Sequence, residues 1–310
     1  MTTQNKFNRA LASLGVTLVS GLFNPAAAEM ITPAPATQMV VTILPAGAPA
    51  GDVKPGDLQV YQGASRRVVT GVERLSGEQA GMELFVYLDR SIDSVGLDAM
   101  LPELAQFIRA LPQTTRVAVG DSIRNQTFTA DREKTVAALM QPLRNSATAG
   151  TWSNLLDLIR QWPGNDPADR RAVLIVTAGV SPEYAGSATN EPYAEAAWRN
   201  AQIAGIAMYS ILMPGGNEGQ SSLSKLTSAA GGSLYTADAA GHCSLRPFLD
   251  DMNLQLANQY RITFEPKNRS GAQAVEVETD MAGEKVIAPS GIYVRQNFPS
   301  STGESTSAGE

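Results

Sequence analysis

The chain has 310 residues, 43% of them apolar and 17% charged, with a net charge of −6. That length accommodates one large domain and a smaller one, with apolar residues enough to fill their cores. The acidic balance and the lack of a basic run exclude a nucleic-acid backbone as partner, because no surface for counterion release is offered.

Arg66-Arg67 and Arg170-Arg171 are isolated pairs, expected at solvated strand ends. Residues 1–28 read as a secretory signal peptide: Lys6 and Arg9 precede the apolar stretch 10–23, and Pro25-Ala26-Ala27-Ala28 supplies a small-residue cleavage site. The apolar stretch is too short for a stable membrane span. Cleavage after Ala28 removes two basic residues and takes the net charge from −6 to −8. The single cysteine, Cys243, excludes an internal disulfide and leaves none near the cleavage site for a lipid anchor. No later segment resembles a transmembrane helix, so the expectation is a soluble exported protein, periplasmic or secreted.

Residues 29–38, rich in proline and alanine, read as a linker. Short strands are expected at 39–44, 58–61 and 67–75, separated by the turn-formers Pro45-Ala46-Gly47 and Lys54-Pro55-Gly56-Asp57. From residue 82 the rhythm changes to strands alternating with helices. The run 82–88 is mostly apolar and predicts a strand buried on both faces. A helix follows, with Leu97, Met100, Leu101, Leu104, Ile108 and Leu111 on one face; Pro102 suits its first turn if Asp98 is the N-cap. Residues 116–123 predict a strand, with 125–130 returning as its hairpin partner. A helix over 131–143, capped by Asp131, comes next. The polar loop 145–151 opens a helix carrying Leu155, Leu156 and Ile159. Residues 171–177 and 206–213 predict strands on either side of a helix at 193–204. A helix at 222–230, a short strand at 233–236 and a helix at 244–258 complete the alternation. At Tyr260 the period returns to two: Tyr260, Ile262, Phe264, Val275 and Val277 alternate with polar residues, and 285–288 and 292–294 continue the pattern. Residues 297–310 are Ser-, Thr-, Gly- and Glu-rich, the composition of a disordered tail.

This order predicts an α/β fold, a doubly wound, mostly parallel sheet over 80–259. Both chain ends, 39–79 and 260–296, supply strands with one apolar face, and together they predict a discontinuous β-sandwich domain.

The turn after the strand at 82–88 carries Asp89, Ser91 and Asp93. Two carboxylates and a hydroxyl at this spacing suit a hard cation such as Mg²⁺, and they equally suit the N-cap of the following helix. His242-Cys243 pairs the only histidine with the only cysteine, but no third member of a catalytic group is evident, and no Gly-x-Ser-x-Gly elbow or phosphate loop occurs. Trp152, Trp162 and Trp198 fall at helical positions and are read as packing.

Asp89-Arg90-Ser91-Ile92-Asp93-Ser94, the loop threonine in Ala149-Gly150-Thr151-Trp152 and the order of strands resemble the von Willebrand factor A-like domains. Val60-Tyr61-Gln62-Gly63, the segment 204–211, Gly231-Gly232-Ser233-Leu234-Tyr235 and Leu256-Ala257-Asn258-Gln259-Tyr260 resemble landmarks of an exported bacterial branch of that family. The resemblance implies a metal-ion-dependent adhesion site in which Asp89, Ser91 and Thr151 stand at family positions and Asp93 replaces a serine. Ala178 stands where the family has an aspartate. Thr177 is the nearest oxygen there, its direction left open by the sequence. The metal set so implied is Asp89, Ser91, Asp93 and Thr151, holding Mg²⁺ or Mn²⁺, or no ion at all given Ala178. The resemblance implies a non-enzymatic interaction module that binds a protein at the carboxyl edge of its sheet. A structural component of the cell envelope with a vestigial metal site is the alternative. An exported hydrolase using Asp89 and Asp93 is a third reading.

Overall fold

The computed structural model describes residues 36–45, 52–89, 92, 94–122, 126–141, 150–164, 170–179, 192–214, 219–237, 244–267 and 270–294. The readings made for residues 1–35, Ser91, Asp93, His242-Cys243 and 297–310 lie outside these residues. The fold begins with β1 (Thr37–Leu44), β2 (Leu58–Gln62), β3 (Ser65–Arg67) and β4 (Val69–Arg74). An alternating stretch follows: β5 (Met82–Leu88), α1 (Ser94–Ala110), β6 (Thr115–Gly120), α2 (Arg132–Leu139), α3 (Thr151–Arg160), β7 (Arg170–Thr177), α4 (Pro192–Ala204), β8 (Ile206–Leu212), α5 (Gln220–Ala230), β9 (Leu234–Thr236) and α6 (Arg246–Ala257). It closes with β10 (Gln259–Phe264), β11 (Gly271–Thr279), β12 (Lys285–Ile287) and β13 (Gly291–Val294).

Among the described residues, the parallel sheet has the order β6-β5-β7-β8-β9. Thr129 bridges Val117 of β6 antiparallel on its outer side, which is the return that the sequence places at 125–130. Counting that bridge, the order in the alternating stretch is 3-2-1-4-5-6, a doubly wound arrangement whose strand order reverses beside its first strand. β5 lies between β6 and β7 and is buried along its whole length. Its side chains alternate between two cores. Met82, Leu84, Val86 and Leu88 pack with α1, α2 and α6, whereas Phe85 and Tyr87 pack with α3, α4 and α5. A strand with helices on both faces has no solvent side, which is why its sequence lacks the polar alternation of β10 and β11. Each such side chain contributes roughly 1.5–3 kcal/mol by its burial.

The two chain ends meet in antiparallel sheets of order β12-β1-β10-β4 and β13-β11-β2-β3. Val41 and Ile43 of β1 and Ile262 and Phe264 of β10 share one core with Val60 of β2 and Val275 of β11, so the sheets face each other as a sandwich. The architecture therefore matches the fold class expected, including the smaller β unit made from both ends of the chain.

Several expectations are corrected. Thr37 and Gln38, read as linker, pair with Phe264 and Thr263 as the first residues of β1. The strand expected at 67–75 is two strands, β3 and β4, in different sheets. Helix α1 starts at Ser94, with Asp98 inside it and Pro102 in its middle. A mid-helix proline costs about 3 kcal/mol, and here the burial of Met100, Leu104, Phe107 and Ile108 offsets that cost. Arg170 is not a solvated strand end: it is 7% exposed. Its Nη1 donates to the Leu256 carbonyl (2.9 Å) and to Oε1 of Gln259 (2.7 Å), and its Nη2 donates to the Ala80 carbonyl (2.8 Å). Glu83, a charged residue inside an apolar run, is fully buried. It accepts from Arg116 (2.7 Å) and from the Trp162 indole (2.6 Å), the pairing that a buried carboxylate requires.

Candidate functional site

The candidate site is set by strand register. Leu88 of β5 pairs with Val176 of β7, and the Asp89 N–H continues the ladder by donating to the Val176 carbonyl at 2.9 Å. The next residues along the two strands, Asp89 and Thr177, are therefore neighbours. Period-two alternation fixes their faces. Phe85 and Tyr87 on β5, and Val173 and Ile175 on β7, face α3, and Asp89 and Thr177 follow them onto that side. Thr151 is the first residue of α3, after the N-cap Gly150. The carboxyl ends of two central strands and the start of one helix thus bring three oxygen-bearing side chains together.

Their hydrogen bonds are well defined. Thr151 Oγ1 donates to the Asp89 carboxylate, lying 3.0 and 2.9 Å from its two oxygens. Thr177 Oγ1 donates to Asp89 Oδ2. It also accepts from the Gly179 N–H at 2.9 Å, which directs its own proton toward Asp89. Asp89 is 4% exposed, Thr177 1% and Thr151 7%. The carboxylate also sits at the amino end of α3, where the helix dipole favours negative charge. Charge-assisted hydrogen bonds from two hydroxyls, together with the dipole at the start of α3, keep the buried carboxylate satisfied.

Of the four residues expected to hold a metal, the structure brings together Asp89 and Thr151; Ser91 and Asp93 lie outside the described residues. Thr177 joins them, and the sequence holds a signal for this. Counted back from Thr177, the apolar run of β7 has the parity that places Thr177 with Val173 and Ile175. Ala178 turns to the other side and packs against the core beneath α1, α2 and α6. Among the described residues no three His, Cys, Asp or Glu side chains gather. The described part of the site therefore offers one carboxylate and two neutral oxygens.

The rim is formed partly by the segment after β7. Gly219, the N-cap of α5, has φ +89°, and a Cβ there would lie 2.4 Å from the Gly179 carbonyl oxygen. Only glycine lets that backbone approach so closely with positive φ. The Met213 N–H, just past β8, donates to the Thr177 carbonyl at 2.8 Å and holds the strand end in place.

No protein-family model matches the sequence, and no curated protein matches it. Many solved structures resemble the chain, two of them as follows. Proximal thread matrix protein 1 from the mussel byssus, solved with a zinc-occupied MIDAS motif, is 15% identical over 59% of this chain and 47% of its own, with a TM-score of 0.44. The human COPII-coat protein Sec24c is 11% identical over 69% of this chain and 43% of its own, with a TM-score of 0.37. The chain spans less than half the length of each of these structures. What its carboxyl edge can do rests on Asp89, Thr151 and Thr177 themselves.

Proposed function

We propose that this chain is an exported, non-enzymatic protein-interaction module of von Willebrand factor A-like type. Its partner docks at the carboxyl edge of the parallel sheet, around Asp89, Thr151 and Thr177, and its metal-ion-dependent adhesion site is altered at Ala178. The observation that carries this reading is the convergence of those three side chains at the end of the central strand. In an open α/β sheet, the crevice where strand order reverses is the place for a ligand, and Asp89 lies beside it. Export, to the periplasm or beyond, rests on the sequence of residues 1–28.

A divalent cation, Mg²⁺ or Mn²⁺, would be held by Asp89 and Thr151, with Ser91 and Asp93 of the same turn and the Thr177 hydroxyl as further oxygens. When bound, it would add the positive charge that a partner carboxylate completes. The donor set fits a weak site: its described part has a single carboxylate, and hard dications favour several charged or carbonyl oxygens. The alternative, a structural envelope component with a vestigial site, is favoured by one feature. Both hydroxyls donate to Asp89, so the carboxylate is satisfied by the protein alone.

Capture from an envelope extract tests the interaction reading, comparing wild type, Asp89→Asn and the distant surface control Asp280→Asn, each with and without chelator. Loss of the captured protein with Asp89→Asn alone is the expected result. Equal capture by all three proteins removes the carboxyl edge as the docking surface. Calorimetric titration with Mg²⁺ and Mn²⁺ decides the ion separately: a flat trace, unchanged by Asp89→Asn, eliminates it and leaves the interaction module standing.

A further inference from the structure

Strand β12 accompanies β1 only part of the way. It pairs with Thr42, Ile43 and Leu44, and no described strand lies beside residues 37–41 on that side. The ladder on the other side fixes where the backbone groups of β1 point. The Ile43 N–H donates to the Asn258 carbonyl, just before β10, so Ile43, Val41 and Met39 turn their N–H and C=O groups toward β10. Gln38 and Val40, of opposite parity, turn theirs toward the place that β12 has left. Gln38 is exposed and Val40 partly so.

Pro289 shows why the gap persists. In the register of β12 it would stand opposite Val40, and a proline has no N–H to give the Val40 carbonyl. The chain turns away instead. The Ser290 N–H donates to the Ala229 carbonyl in α5 (3.2 Å), and the Ser290 carbonyl accepts from Val275 of β11 (3.0 Å). What remains is a groove of about 250 Å³, with Gln38, Met39 and Val40 on one side and Gly291, Ile292 and Tyr293 of β13 on another. The end of α4 supplies a further wall; its Ile203 is 48% exposed, and Tyr293 is 43% exposed.

Open strand edges are normally blunted by charge, and Lys285 on β12, Arg66 on β3 and Arg74 on β4 follow that rule. Neither Gln38-Met39-Val40 nor Gly291-Ile292-Tyr293 carries a charged side chain. An uncharged edge whose N–H and C=O groups have no strand beside them is a template for one more strand. The walls decide which kind. A second copy would have to bring a whole sheet between β13 and α4, whereas a single extended chain fits there.

We propose that this groove binds an extended segment of a partner protein, which adds to β1 as a strand where β12 departs. The N–H and C=O groups of Gln38 and Val40 pair with its backbone and supply the affinity. Its side chains alternate between two faces, and apolar residues suit both: Met39 and Ile292 border one face, Ile203 and Ala204 the other. The groove lies at the amino edge of the parallel sheet, where β7 and β8 begin, and is separate from the Asp89 edge.

The probe is a fluorescein-labelled peptide of alternating valine and alanine with a lysine at each end, titrated into the purified protein and read by anisotropy. Its control is the same peptide N-methylated at every residue, which keeps the side chains and has no backbone N–H to donate. Saturable binding of the probe is expected, with the control at least about tenfold weaker. Gln38→Pro and Val40→Pro each remove one N–H from the open edge and leave the bonds from β1 to β10 in place. Each is expected to weaken the probe about fivefold, the worth of one hydrogen bond, and cooperative thermal melts establish that both variants fold. Absence of saturable binding overturns the proposal, as does equal binding of the control or binding that neither variant weakens. A wild-type dimer in sedimentation that either variant converts to monomer assigns the edge to a second copy and overturns it as well.

Discussion

At the scale of single residues, the question is what keeps a carboxylate buried at Asp89. Two threonine hydroxyls donate to it, and one of them, Thr177, has its proton direction set by the Gly179 N–H. Hydrogen bonds to a charged group are worth about 1.5–3 kcal/mol each, and losing one partner exposes the other to an unmet desolvation cost. Thr177→Val is therefore expected to lower unfolding free energy by roughly 2 kcal/mol, and Thr151→Val by a similar amount. Combined with Asp89→Ala, each threonine variant should add far less than its single effect, because the hydroxyl's partner is already gone. Urea denaturation of the singles and doubles measures this coupling; strictly additive losses would show that the hydroxyls do not hold the carboxylate. The sequence makes Asp89 and Thr151 readable, since a strand-ending aspartate and a threonine opening a helix are local patterns. Thr177 is legible only through parity along β7, and Glu83 and Arg170 not at all. Burial of Glu83 and Arg170 depends on partners about 30 to 90 residues away in sequence, the first on Arg116 and Trp162 and the second on Ala80, Leu256 and Gln259.

At the scale of elements, periodicity located nearly every strand and helix, and boundaries failed where packing overrode a local signal. Pro102 is the clearest instance. Read locally, it belongs in a first turn, but α1 extends two turns upstream because its apolar stripe lies on the sheet. The junction of α5 and β9 shows the reverse, a local signal with a tertiary cause. Gly231 ends α5 with φ +76°, as helix C-caps commonly do. Gly232 is needed for another reason: a Cβ there would lie 1.9 Å from the Met208 backbone oxygen in the adjacent strand β8. Neither backbone can withdraw without breaking the β8–β9 pairing. Gly232→Ala is expected to destabilise the fold by more than about 2 kcal/mol, the overpacking range. Gly56→Ala, where a new Cβ meets nothing within 4 Å, is expected to change stability by under about 1 kcal/mol. Thermal melts of the pair test this, and equal melting temperatures would contradict the close approach.

At the scale of the whole molecule, the chain ends form the sandwich and the middle forms the parallel sheet, and the two cores are joined by the Ser290 N–H to Ala229 carbonyl bond (3.2 Å) and where the chain passes between them. It does so twice, from β4 to β5 and from α6 to β10. Arg170 reaches both passages, holding the Ala80 carbonyl in the first and the Leu256 carbonyl with the Gln259 side chain in the second. Tyr209 of β8 lies close by and is approached by the Gln259 amide at 3.4 Å; burial pushes its hydroxyl up to about 12, so it remains neutral and protonated at physiological pH. A methionine at Arg170 would keep much of the apolar stem but leave two buried carbonyls without donors, at about 1–3 kcal/mol each. Arg170→Met is thus expected to lose at least roughly 3 kcal/mol and to separate the unfolding of the two cores. The three tryptophans, Trp152, Trp162 and Trp198, all lie in or beside helices of the parallel-sheet unit, so their fluorescence follows that unit, whereas far-ultraviolet circular dichroism follows both. Wild type should give coincident urea midpoints by the two signals, and Arg170→Met should give distinct ones. Arg66→Met, exposed in the middle of the edge strand β3, should leave both unchanged. Coincident midpoints in Arg170→Met, with a loss below about 1 kcal/mol, would mean that the sheet interfaces couple the cores without the guanidinium.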